Sequence, residues 1–108
     1  MKLLTKAIEK KLEKFPINSQ DGKGVEAEIV CKFFAPAGSW TWYVLEGEKL
    51  KDGDWLLFGI VISDLGAEYG YFYLSRLERL SLPFGLKVER DLYFEGRYVK
   101  DLGDIMDF

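Results

Sequence analysis

Apolar residues at the start of the chain recur at helical intervals: Leu4, Ile8, Leu12 and Phe15 lie four, four and three positions apart. Lys6, Glu9, Lys10, Glu13 and Lys14 fill the positions between, so the spacing predicts an amphipathic helix over residues 1–16, capped by Thr5 and ended by Pro16. From Glu26 the period changes to two. Ala27, Ile29, Cys31 and Phe33 alternate with Glu26, Glu28 and Lys32, which predicts a strand with one buried face, broken by Ala35-Pro36-Ala37-Gly38-Ser39. Trp40–Glu46 and Trp55–Ile62 are apolar on both faces and suit the middle of a sheet. The Asp52-Gly53 pair between them marks a turn, and a hairpin follows. Gly59 opens a gap in the second of these strands that a neighbouring ring is expected to fill.

Tyr69–Leu74 is a further strand, with Tyr69, Tyr71 and Tyr73 on one face that the first helix is expected to cover. Ser75-Arg76-Leu77-Glu78 reads as a capping box opening a short helix through Leu80. Val88–Phe94 is the last predicted strand, and residues 98–108 form a tail with a helical turn around Leu102 and Ile105. No long helix separates any two strands. The pattern therefore predicts one α+β domain over residues 1–108: a helix at 1–16, a mainly antiparallel sheet of four to five strands within 26–94, a short helix before the last strand, and the tail.

Composition narrows the chemistry. The 108 residues contain no histidine, which removes His-based triads, Cys–His dyads and histidine zinc sites from this chain. Cys31 is the single cysteine, so no disulfide or thiolate cluster forms within one chain. Its place between Ile29 and Phe33 predicts a buried, inert thiol. The longest apolar run, Trp55–Ile62, is far short of the roughly 20 residues a membrane helix needs. Met1-Lys2-Leu3-Leu4-Thr5-Lys6 offers no signal-peptide core, so the expected compartment is the cytoplasm.

Net charge is −3 and is unevenly placed: residues 1–24 are basic, with six Lys against three acids, while residues 25–74 carry three Lys against eight acids. Neither a concentrated basic footprint nor the dense acid field of a DNA mimic results. Gly22-Lys23-Gly24-Val25-Glu26-Ala27 has the letters of a dinucleotide fingerprint but lies after a helix and before a strand, the wrong order for a phosphate site, and reads as a loop. Glu46, Glu48, Asp52 and Asp54 cluster on the hairpin without EF-hand spacing and read as a solvated turn; no metal or other cofactor is expected.

Two groups of residues remain as candidates. In Glu89-Arg90-Asp91, a strand would put Glu89 and Asp91 on one face about 6.6–7 Å apart, close to the separations of paired catalytic carboxylates. Arg90 would then lie among Val88, Leu92 and Phe94, where it needs a carboxylate, with Glu28 or Glu46 as expected partners. Tyr69, Tyr71 and Tyr73 form the second group of candidate interaction residues, a stacking platform for bases or sugars. Three readings compete: a non-enzymatic protein that binds a protein partner, a carboxylate enzyme using Glu89 and Asp91 with magnesium, and a single-stranded nucleic-acid binder. The missing catalytic equipment and the acidic middle favour the first and disfavour nucleic acid.

Several segments together carry a resemblance: Val30-Cys31-Lys32-Phe33-Phe34-Ala35-Pro36, Trp40-Thr41-Trp42-Tyr43, Gly70-Tyr71-Phe72-Tyr73-Leu74-Ser75-Arg76-Leu77-Glu78 and Glu89-Arg90-Asp91-Leu92-Tyr93-Phe94. In order and spacing they resemble an uncharacterised bacterial family of small proteins, a domain of unknown function carried on plasmids, phages and integrative elements. The resemblance runs from Met1 to about Glu95. It implies an accessory protein of a mobile element, and it transfers no catalytic residue.

Overall fold

The computed structural model describes residues 2–103. Helix α1 spans Lys6–Leu12, and the Thr5 hydroxyl accepts the Ile8 N–H at 3.2 Å, pairing one of the amides a helix start leaves open. It stops a turn short of Phe15. Pro16 disfavours helical backbone at the residue before it, and the chain tightens into turns there.

The strands are β1 (Glu28–Ile29), β2 (Cys31–Phe34), β3 (Thr41–Lys49), β4 (Trp55–Ser63), β5 (Gly66–Tyr73), β6 (Glu89–Arg90) and β7 (Arg97–Tyr98). Five of them form one sheet in the order β5-β4-β3-β2-β6, and β1 pairs with β7. Every pairing is antiparallel. Helix α2 (Leu74–Arg79) follows β5 directly. The fold is thus α+β and mainly antiparallel, with the predicted hairpin present as β3 and β4. No helix among the described residues is long and apolar enough to cross a membrane.

The sheet carries a core on each face. On the helical side Leu3, Leu4 and Leu12 meet Phe33, Trp42, Val44, Leu57, Leu74 and Leu77. On the other side Ala27, Ile29, Tyr43, Leu45 and Ile60 meet Val99 and Leu102, from a 3-10 turn at Val99–Leu102. The single-face strand expected over Glu26–Phe34 is therefore corrected: Ala27 and Ile29 belong to one core, Cys31 and Phe33 to the other. Val30 donates its N–H to the Val44 carbonyl at 2.8 Å while Cys31 pairs with Val44, so two residues oppose one and the alternation switches sides. Strand β3 has its own register shift between Val44 and Glu46, which makes Leu45 an extra residue.

Three further expectations change. What approaches Gly59 is backbone, not a ring: a Cβ there would stand 1.8 Å from the Tyr43 carbonyl oxygen. Ser75 does not cap α2, whose N-cap is Tyr73 without a side-chain bond. Instead Asp54, at the mouth of the β3–β4 hairpin, accepts the Ser75 N–H at 3.0 Å and the Ser75 hydroxyl at 2.6 Å. The last strand shrinks from Val88–Phe94 to Glu89–Arg90, because the Asp91 carboxylate accepts the Tyr93 N–H at 3.0 Å and turns the chain away. Of the predicted tail, Leu102 is buried in the second core; Ile105 lies outside the described residues.

Candidate functional site

Arg90 pairs across β2 with Phe33 and so lies on the helical face, as the alternation required. Its expected carboxylate partners do not meet it. The guanidinium donates instead to the carbonyls of Lys2 and Leu3, at 2.7 and 2.8 Å, and ties the N-terminal segment onto the core. Glu28 pairs with Lys11 at 3.2 Å. Glu46, only 2% exposed, accepts the N–H groups of Asn18 and Gln20, both at 2.8 Å. The reason is geometric: Glu46 pairs with Phe58 on the face away from Arg90, beneath the loop that precedes β1.

That loop contains the glycines of the apparent fingerprint. Gly22 and Gly24 adopt left-handed backbone, and the loop turns its amides toward a carboxylate of its own chain. The buried Gln20 side chain completes the arrangement, donating to the carbonyls of Glu28 and Leu45 and accepting the Glu28 N–H. The solvated turn expected for the hairpin acids holds for Glu48, which is exposed, while Glu46 and Asp54 serve as structural acceptors. Among the described residues no group of three or more His, Cys, Asp or Glu is placed to hold a metal ion.

Glu89 and Asp91 line different cavities. Glu89 borders one with Leu3, Glu78, Lys87 and Val88; Asp91 borders another with Lys32, Tyr43, Phe94 and Arg97. Asp91 also pairs with Lys32 at 3.6 Å. Cys31 is buried, and burial pushes its thiol up to about 12 against the opposing pull of Arg90 and Lys11. At neutral pH it is a thiol and not a nucleophile.

The tyrosines are where sequence and structure diverge most usefully. Tyr69, Tyr71 and Tyr73 pair with Ile60, Phe58 and Leu56 of β4, on the face opposite the helices. Helix α1 covers the other face, with Leu12 close to Leu57 above Gly47, so the expected cover is absent from the tyrosines. They remain 49%, 58% and 42% exposed. Phe58 braces two of them, stacked on Tyr69 at 5.9 Å and tilted against Tyr71 at 4.8 Å. Phe58, which the sequence pattern did not single out, is found only once the β4–β5 register sets it opposite Tyr71. Beside Phe58 and Tyr69 opens a cavity of about 390 Å³ that Asp21 and Glu46 also line, with no Lys or Arg among its described lining residues. Such a surface can stack and hydrogen-bond, but it presents no array of reacting groups.

An antiparallel five-stranded sheet, two short helices and an aromatic patch left exposed among the described residues define the class: a small, mainly antiparallel α+β domain. A family model described as a protein of unknown function (DUF2958) matches residues 3–100, and the chain belongs to that family. No curated protein matches it, and no solved structure does.

Proposed function

We propose that the protein is a non-catalytic docking module that binds a protein partner through Tyr69, Tyr71 and Tyr73. The observation that carries this reading is the half-exposed state of three tyrosines fixed on one sheet face, with Tyr69 and Tyr71 braced by Phe58. Tyrosine offers a large amphipathic contact at a small cost in side-chain entropy, which is why it is enriched where proteins recognise proteins. A single-stranded nucleic acid would need a basic groove along the platform, and the neighbouring cavity offers the exposed Asp21 and, among its described lining residues, no Lys or Arg. The magnesium enzyme reading needs Glu89 and Asp91 together, and they border separate cavities.

We further place the module in the cytoplasm, as an accessory of a mobile genetic element. What supports this setting is the resemblance in motif order to small proteins carried on plasmids, phages and integrative elements.

Capture from a bacterial lysate with the intact protein and with a Tyr69→Ser, Tyr71→Ser double variant tests the docking reading. Proteins retained after nuclease treatment by the former and lost by the latter are the expected result. Equal capture by both, or a signal that nuclease abolishes, would sink it.

A further inference from the structure

The two edges of the five-stranded sheet are built differently. Strand β6 is two residues long and both are charged, Glu89 and Arg90. Strand β5 lies at the opposite edge, runs for eight residues, and has every residue exposed or half-buried. A long exposed edge offers unpaired backbone groups to any other strand, and proteins commonly guard such edges with Lys, Pro or a bulge. The sequence Gly-Ala-Glu-Tyr-Gly-Tyr-Phe-Tyr contains neither Lys nor Pro, and its register against β4 is continuous from Gly66 to Tyr73. Its single charge, Glu68, wards off an acidic strand and not a basic one.

Gly70 sharpens the point. Its pairing partner, Gly59, is a glycine because the Tyr43 backbone leaves no room for a Cβ. At Gly70 an added Cβ meets nothing within 4 Å, and the backbone is not in the left-handed region. Among the described residues neither crowding nor conformation demands glycine there. A glycine inside a strand is otherwise a mark of close approach by a ligand or another backbone.

Charge identifies what approaches. Gly70 and Glu68 border a groove of about 220 Å³ with Trp40 and Val61 on one side of β5, and the exposed Asp21 lines the cavity beside Tyr69 on the other, where the Glu46 carboxylate is already taken by the Asn18 and Gln20 amides. No Lys or Arg is among the described residues lining either. We propose that β5 accepts an extended, Lys- or Arg-bearing segment of a partner protein as a sixth strand, which rests on the reading that the module binds a protein. Main-chain hydrogen bonds along β5 hold the segment, and its side chains alternate between the two faces. One set lies over the tyrosine rings, whose faces attract cations; the other fills the space above Gly70 beside Glu68. A second copy of this chain, with net charge −3, would bring Glu68 and its neighbours against their like.

The test is an NMR titration of the full isotope-labelled chain with an alternating Thr-Lys peptide matched to β5 in length, and with the corresponding Thr-Glu peptide. The expected result is slowed amide exchange along β5 and binding of the Thr-Lys peptide about tenfold tighter than its counterpart. Glu68→Lys and Gly70→Val, both at exposed or open positions, should each weaken it about fivefold while leaving the spectrum of the free protein folded. Peptide shifts confined to the tyrosine rings, with no protection of β5, overturn strand addition and leave the docking face standing. Protection of β5 that grows with protein concentration and without peptide overturns the occupant and gives the edge to a second copy. No response of β5 at millimolar peptide overturns the inference outright.

Discussion

The face of the sheet turned away from the helices is two regions in one. Toward β2 it is roofed: Tyr43, Leu45 and Ile60 lie under Val99 and Leu102, and Tyr43 meets Phe94 at 6.0 Å. Toward β5 no described residue roofs it, although Tyr69, Tyr71 and Tyr73 are of the same residue type as the buried Tyr43. The difference lies in the chain beyond the sheet. After β6 it turns back at Asp91, pairs β7 with β1, and sets its last described turn over only one half. Side-chain character decides that a face can be buried; connectivity decides whether it is.

The largest effects are expected at the central row, where Gly59 and Gly70 face each other across β4 and β5. Gly59→Ala forces a methyl group into the Tyr43 carbonyl and should cost more than about 3 kcal/mol, by shifting backbone in the middle of the sheet. Gly70→Ala enters open space and should change stability by less than about 0.5 kcal/mol, or raise it slightly. Urea denaturation of the two variants measures both. Similar losses at the two positions would end the argument that Gly70 answers to something outside the chain.

Next in size comes the roof itself. Leu102→Ala should cost about 2–4 kcal/mol, since Leu102 is buried among Tyr43, Leu45 and Ile60. Tyr71→Ala, on the bare half, should stay within about 1 kcal/mol and show its effect in binding. Thermal melts set beside partner capture separate the two halves. A destabilisation by Tyr71→Ala as large as that of Leu102→Ala would make the tyrosines core residues.

Much of this arrangement was legible because local patterns decide it. The helical spacing of Ile8 and Leu12 and the Asp52-Gly53 turn depend on neighbours a few residues away, and both are present, although the helix occupies only Lys6–Leu12 of the expected 1–16 and Leu4 precedes it. Illegible features depend on pairing at a distance. One extra residue in the ladder, at Val30 and again at Leu45, sends later side chains to the other face, and period-two reasoning cannot see it. Arg90 met carbonyls from the far end of the chain, which carry no residue-type signal. The candidate site had the same fate: three tyrosines on one face were readable, whereas their exposure depended on where α1 and the Val99–Leu102 turn came to rest.

A smaller loss is expected at Cys31. Its thiol packs beside Phe33 in the helical-side core, and a serine hydroxyl there would be buried without an assured partner. Cys31→Ser should lower stability by about 1–3 kcal/mol. With the thiol pushed up to about 12, labelling by a thiol reagent should be slow in the folded protein and fast in denaturant. Fast labelling of the native chain contradicts the burial on which both expectations stand.

The smallest effect concerns the anchor at the end of the bare strand. Where β5 becomes α2, Asp54 accepts the Ser75 hydroxyl and amide and also the Trp55 N–H at 2.8 Å. The Ser75 hydroxyl bond, foremost, holds its carboxyl below the ordinary 3.8; the two backbone N–H groups and Arg79 act in the same direction, and burial opposes them. A carboxyl lowered in the folded state binds protons more readily when unfolded, so its stabilisation is present above pH 3.8 and lost as the pH falls through the folded value. Asp54→Asn cannot follow that titration. Melting curves of the two proteins should therefore differ by a constant margin at neutral pH and converge below about pH 4, the convergence being modest because the group is largely solvated. A margin that persists unchanged into strong acid would mean that Asp54 holds β5 and α2 together by shape rather than by charge.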